Sequence, residues 1–431
     1  MLGYAISVIA GVAPILIAIS AFFLRIVNLG NPTGFVFDEV YYVDGARDLL
    51  KYGVEVDGLK PEFVVHPPIG KWCIALGIKL FGNNEFGWRI TAAVAGTLII
   101  LIAARLAHIL FYSPFLTAIT AALMACDGLL LVHSRTALLD LFLTLFVLSA
   151  AYFWFRQQYW YASIFFGLAL ATKWSALYFI ALFGSVTLYK LLREKSIKDS
   201  LSTIGLRVLQ FALVPLAMYI TSWAGWFASA RGWDRNYASN PISSLIYYHK
   251  QMLDFHTSLV EKHSYQANPW SWLIMGRPTS FFYASPEACG SKSCAQEVLA
   301  LGTPVLWWSA TIAVAVLIGY WIWQFYNRKV DSKLTFILLG VTAGYLPWFF
   351  FQKRTVFSFY AIVFEPFLVL AIIYCAKLFM DRSGNPANAQ VIILGFVAVV
   401  FLNFVFFLPL YLGEVISYAQ WHMRMWFPSW I

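Results

Sequence analysis

Apolar runs of about twenty residues recur from one end of this chain to the other, and that recurrence limits the possible folds most. A run of that length crosses a bilayer as a helix, because lipid offers no partner to an unpaired backbone amide. Eleven segments are expected, at 4–26, 87–111, 115–132, 136–155, 160–172, 176–192, 205–225, 304–326, 334–351, 356–379 and 391–412. With 61% hydrophobic and 12% charged residues and a mean hydropathy of +0.70, a soluble globular protein is excluded. The expected fold class is an all-α polytopic membrane protein, one domain over residues 1–431. No cleavable leader is expected, because the first run is long and lacks a basic flank.

A net charge of +9 would suit nucleic acid, but the basic residues lie between the apolar runs, where they set orientation. Arg156, Lys190, Arg193, Lys195, Lys198, Arg207, Arg328, Lys329, Lys333, Lys377 and Arg382 all fall on one side, expected to be cytoplasmic. The N-terminus is then cytoplasmic and the C-terminus external, in a plasma membrane. Two large loops, 27–86 and 226–303, face outward. An apolar stretch in the first, near Ile74 to Phe81, is too short to span and is expected in the interface. Cys289 and Cys294 share a polar loop, where a disulfide and a free pair both fit. No complete metal-ligand set accompanies them; a divalent ion elsewhere stays open.

The first outer loop begins with adjacent carboxylates, Asp38 and Glu39. Neighbouring side chains share neither a helix face nor a strand face, so the two are expected to do different things. An acid at the start of an interfacial helix, favoured by the helix dipole, is the alternative. Five cations break the orientation rule: Arg89, Arg135, Lys173, Lys353 and Arg354. A single one can snorkel to the headgroups. Several, from distant turns and opposite two acids, point to a shared anion site at the outer membrane edge.

Acids beside a phosphate clamp imply group transfer from a lipid phosphate. The leaving group is an anion that needs cations, and the acceptor hydroxyl needs a base. Nearby cations are expected to keep Asp38 ionised. Asp140 lies about one turn beyond Arg135, and a local pair is its expected role. His66, in HPPIGK, is either a hydrogen-bonded loop residue or a ligand.

The segments FDEVYYVDGARDLL, VHPPIGKW, EFGWRITAAVAGTL, HSRTALLDLFL, GLALATKWSALY and QKRTVFSFYAIVFEPF, in that order, resemble the motifs of protein O-mannosyltransferases. The resemblance implies a GT-C membrane glycosyltransferase fold. It implies a polyprenyl-phosphate mannose donor, Ser/Thr acceptors on secreted or membrane polypeptides, and inversion at the anomeric carbon. By that likeness Asp38 is the base and Glu39 supports it. Arg89, Lys173 and Arg354 face the donor, with Arg135 and Asp140 in the same group, and His66 lies on the acceptor side. The second outer loop is too short for the soluble domain of eukaryotic members, which resembles the bacterial branch. Membrane lipids and the secretion machinery are further candidate partners.

The nearest rival is another GT-C enzyme moving a sugar from a polyprenyl phosphate to a lipid or glycan. A lipid or solute transporter would instead show paired internal repeats and charges near the bilayer midplane. A scaffold would need neither the acid pair nor the outer cations.

Overall fold

A computed structural model describes residues 2–194 and 197–431 of the chain, and the side chains of 11–193 and 201–431. Lys195 and the side chain of Lys198 therefore lie outside the described residues. The helices are α1 (Leu2–Ile26), α2 (Glu39–Tyr52), α3 (Ile69–Phe81), α4 (Glu85–Phe111), α5 (Pro114–Ala125), α6 (Gly128–His133), α7 (Leu139–Phe155), α8 (Tyr159–Leu170) and α9 (Ala176–Glu194). They continue as α10 (Ile197–Val208), α11 (Val214–Ser222), α12 (Ala224–Ala228), α13 (Pro241–Ser258), α14 (Pro304–Tyr326), α15 (Ser332–Tyr345), α16 (Glu365–Arg382), α17 (Pro386–Leu412) and α18 (Tyr418–His422).

Among the described residues, six helical stretches are long and apolar enough to cross a membrane, in or around α4, α9, α10 with α11, α14, α15 and α17. Shorter apolar helices, α1, α5, α7 and α8, occupy four more of the expected segments, and α16 the last. Two expected runs are broken. The run 115–132 stops at Cys126, and Asp127 restarts it as α6 by accepting a hydrogen bond from Leu130 N at 3.0 Å. The run 356–379 opens with a 3-10 turn, Ser358–Val363, before α16 begins.

The chain is mostly helical, but the all-α expectation missed two small sheets. Strands β1 (Val56–Asp57) and β2 (Lys60–Pro61) form a short antiparallel hairpin in the first loop. Strands β3 (Thr279–Ala284), β4 (Cys294–Ala300) and β5 (Val415–Ser417) form an antiparallel sheet in the order β3-β4-β5. A disulfide joins Cys289, in the β3–β4 connection, to Cys294 at the start of β4. The stretch near Ile74 to Phe81 is part of α3, packed on α4. A Cβ on Gly87 would meet Gly82 O at 1.9 Å, and one on Gly77 would meet Gly87 O at 2.3 Å. Glycine at both positions thus permits the close approach that brings Arg89 under the first loop.

The two large loops are tied together. The Tyr248 hydroxyl donates to Val64 O at 2.9 Å and accepts from Val64 N at 3.1 Å. The same region reaches the turn before α16, where Thr355 N donates to Leu259 O at 3.1 Å. Residues near 38, 66, 256 and 354 are thereby gathered at one end of the helix bundle.

Candidate functional site

The adjacent acids have opposite fates. Both Glu39 oxygens are consumed: Oε1 accepts from Arg89 Nε and Ala137 N, and Oε2 from Arg89 Nη2 and Val36 N, each at 2.8 Å. A carboxylate has about four acceptor positions, so none is left for substrate. Asp38 is the N-cap of α2 yet makes no capping bond. Among the described residues its one side-chain hydrogen-bond partner is the Tyr42 hydroxyl, which donates to Oδ2 at 3.4 Å. The residue before it, Phe37, sits at φ +51, a left-handed backbone that a bulky side chain adopts only under constraint. Phe281 supplies that constraint by stacking on Phe37 at 4.7 Å, and Phe357 and Phe359 pack edge-on.

Three expected roles are corrected by these contacts. Arg89 is fully buried, and its five N–H groups go to Glu39 and to the carbonyls of Leu29, Pro32 and Gly34. It braces the first loop and has no donor left for a phosphate. Arg135 does not pair with Asp140. Its guanidinium collects the carbonyls of Leu24, Arg25, Val27 and Asn28, the groups an ending helix leaves unpaired. Asp140 instead binds Lys173 Nζ through both oxygens, at 2.9 and 3.0 Å.

Lys173 remains at the site, 4.3 Å from the centre of the Tyr360 ring, and one ammonium hydrogen is left after the Asp140 bonds. With His66, His256 and Arg354 it lines a cavity of about 230 Å³ walled by Trp174, Tyr178 and Trp348. Arg354 Nη2 donates to His256 Nδ1 at 3.2 Å, and His256 Nε2 donates to Val65 O at 2.9 Å. That chain aims the guanidinium, and Arg354 Nε is buried without a partner. Lys353 is exposed and does not line the cavity. The His66 ring lies 5.4 Å from that of His256. Among the described residues, no group of three His, Cys, Asp or Glu side chains is placed to hold a metal.

Burial pushes the Asp38 carboxyl up to about 6; Lys173 opposes the rise and Asp140 adds to it. Burial outweighs the opposing charge of Lys173, so Asp38 sits above the usual carboxylate range yet is still mostly ionised at pH 7. Burial also lowers His256 to about 4 and His66 well below its usual range, so both rings are neutral at pH 7. A base must be ionised to act. Activity that depends on Asp38 should therefore fall about tenfold per pH unit below pH 6 and level off above pH 7. A pH profile of kcat/KM checks this, and a flat profile from pH 5 to 8 would remove Asp38 as the titrating group.

Residues 15–227 match the family model described as dolichyl-phosphate-mannose-protein mannosyltransferase. Residues 241–430 match that of the C-terminal four TMM region of protein-O-mannosyltransferase. Across 94% of its length the chain is 33% identical to the polyprenol-phosphate-mannose–protein mannosyltransferase of Mycolicibacterium smegmatis, covering 90% of that protein. The chain belongs to the protein O-mannosyltransferase family. The Mycobacterium tuberculosis protein of the same description is 32% identical over 96% of this chain and 91% of its own length.

The fold is also that of solved membrane glycosyltransferases. The S. cerevisiae protein O-mannosyltransferase Pmt1-Pmt2 complex bound to the sugar donor aligns with a TM-score of 0.84 at 14% identity, over 98% of this chain and 92% of that one. ArnT from Cupriavidus metallidurans bound to undecaprenyl phosphate aligns at 0.55 and 16% identity, over 93% and 75%. In this protein O-mannosyltransferase, sequence reasoning missed Tyr42, Trp174, His256 and Tyr360. Tyr42 had a signal, four residues after Asp38 and hence on its helix face. His256 had none, because its partner Arg354 is 98 residues away.

Proposed function

We propose that this chain transfers mannose from a polyprenyl-phosphate mannose to Ser or Thr hydroxyls of secreted or membrane polypeptides, with inversion at the anomeric carbon. The observation that carries the proposal is an uncommitted carboxylate, Asp38, within electrostatic reach of Lys173, which lines a cavity together with the incompletely paired Arg354. The mycobacterial relatives, polyprenol-phosphate-mannose–protein mannosyltransferases, support the donor and a protein acceptor. The acceptor oxygen forms a bond to the anomeric carbon as the bond from that carbon to the phosphate oxygen breaks. The hydroxyl proton passes to Asp38, and the polyprenyl phosphate leaves with the electron pair. Arg354 and Lys173 meet the phosphate charge, while the aromatic walls suit a sugar face and the first isoprene units. Glu39 acts through Arg89 as a positioning residue. Purified chain given labelled donor should label a Thr-containing secreted peptide; labelling of a lipid acceptor in its place would favour the rival glycosyltransferase.

Replacing Arg354 by Ala removes a charge-assisted contact worth about 1.5–3 kcal/mol, so the donor Kd should rise tenfold or more, to an extent set by that contact. Fluorescence titration with the donor measures it, and an unchanged Kd would place the phosphate elsewhere.

We place the site on the external face, with the N-terminus cytoplasmic and the whole chain acting as one unit. An impermeant thiol reagent on intact cells should label Glu287→Cys but not Asn327→Cys, each in a chain whose Cys73, Cys126 and Cys375 are replaced. The reverse pattern would invert the orientation.

A further inference from the structure

A second polar cavity lies at the opposite end of the helix bundle, outside everything assigned above. It measures about 340 Å³ and opens among the ends of α7, α9 and α15 and the middle of the α10–α11 segment. Helix α7 separates the two places: Asp140 is in its first turn, and Trp154 and Phe155 are at its last. Fifteen residues of helix span about 22 Å, so the second cavity faces the other side of the membrane.

Two cations line it, Lys190 and Arg207, and none of its described lining residues is acidic. Neither has a carboxylate within ion-pair distance among the described residues. Both are held in place by aromatic rings instead. Lys190 Nζ lies 5.2 Å from the centre of the Trp154 ring, and Arg207 Cζ lies 4.2 Å from that of Tyr159. Arg207 Nη1 donates to Gln210 Oε1 at 2.7 Å, which further fixes the guanidinium. Gln157, Thr187 and Ser332 add polar groups to the lining. Gln157 stands at φ +60, a left-handed position in the tight α7–α8 link at the edge of the cavity. Phe155 and Leu191 supply apolar wall.

Cations held over aromatic rings with no carboxylate partner among the described residues, at a membrane boundary and beside apolar wall, suit a ligand with an anionic head and a greasy tail. We infer that this cavity binds the phosphate group of an anionic membrane phospholipid. Free phosphate shares the head chemistry but cannot use the apolar wall. The site thus couples the enzyme to the lipid composition of the leaflet opposite its candidate active site.

The test titrates the full chain in detergent with short-chain phosphatidylglycerol, short-chain phosphatidylcholine or inorganic phosphate, reading Kd and the shift in thermal unfolding. The wild type should be stabilised by phosphatidylglycerol and by neither of the others at the same concentration. The double variant Lys190→Gln/Arg207→Gln should raise the phosphatidylglycerol Kd by about a hundredfold, roughly tenfold per lost charged contact. Ser332→Glu guards against a folding artefact. It puts an acid at the first position of α15, where the helix dipole tolerates it, and should weaken the same binding by repulsion. Arg354→Ala should leave the response intact, since that cation belongs to the other cavity. The inference is overturned if the response disappears with Arg354→Ala or persists in both the double variant and Ser332→Glu. An equal response to phosphatidylcholine or to inorganic phosphate overturns it as well.

Discussion

Arg89→Ala is expected to destabilise the folded chain by about 3–5 kcal/mol, the cost of leaving a buried charge without its partner. The Arg89–Glu39 pair is fully buried and bidentate, and it is embedded in backbone. Removing the guanidinium strips Glu39 of two bonds and orphans the carbonyls of Leu29, Pro32 and Gly34. Glu39→Ala is the mirror case and also frees Val36 N and Ala137 N. An apolar double variant should not recover the loss, because those backbone groups stay unpaired in it. Arg89→Lys keeps the charge without the five-donor fork and should fall between wild type and Ala. Thermal unfolding in detergent, beside donor titration on whatever fraction stays folded, separates the two possible roles. A stable Arg89→Ala protein with weakened donor affinity would return Arg89 to the donor clamp.

The recurring apolar runs were legible because the bilayer penalises any other backbone arrangement, so length and composition suffice. That Asp38 and Glu39 mark a special place in the chain was legible from charge at a membrane edge. Their division of labour was legible only as far as their pointing apart. Which one is spent on structure depends on Arg89, 50 residues further on, and on Ala137 N, 98 residues away. The same limit explains Arg89 and Arg135. A cation at a helix boundary satisfies a lipid phosphate and a row of helix-end carbonyls equally well in one dimension. Packing then decided that Arg135 is filled by backbone and Arg89 by backbone and Glu39. The sheet escaped notice because β5 is three residues long and follows α17, far from the β4 it pairs with. The left-handed Phe37 carried no local warning, since aromatic contacts from residues 281, 357 and 359 impose it.

Asp38→Asn should slow mannose transfer by about 10²–10⁴-fold, the usual contribution of a positioned base to attack by a neutral hydroxyl. The substitution keeps the shape and removes the basicity. Folding should tolerate it, because Asp38 makes no cap and one long contact to Tyr42. The sign of its titration agrees. With the folded value raised to about 6 from an unfolded value near 4, the ionised form weakens folding above that range. A neutral Asn should therefore leave thermal stability unchanged or slightly higher. Donor affinity should survive, since the phosphate contacts are proposed for Arg354 and Lys173.

A single-turnover experiment isolates the step proposed for Asp38. Wild type and Asp38→Asn are each preloaded with labelled polyprenyl-phosphate mannose, then mixed with a Thr-containing peptide at pH 7.5. The account predicts equal donor loading, equal unfolding temperatures to within the small rise expected for Asn, and a transfer step slowed by about 10²–10⁴-fold in the variant. Transfer by the loaded Asp38→Asn complex at the wild-type rate would contradict it.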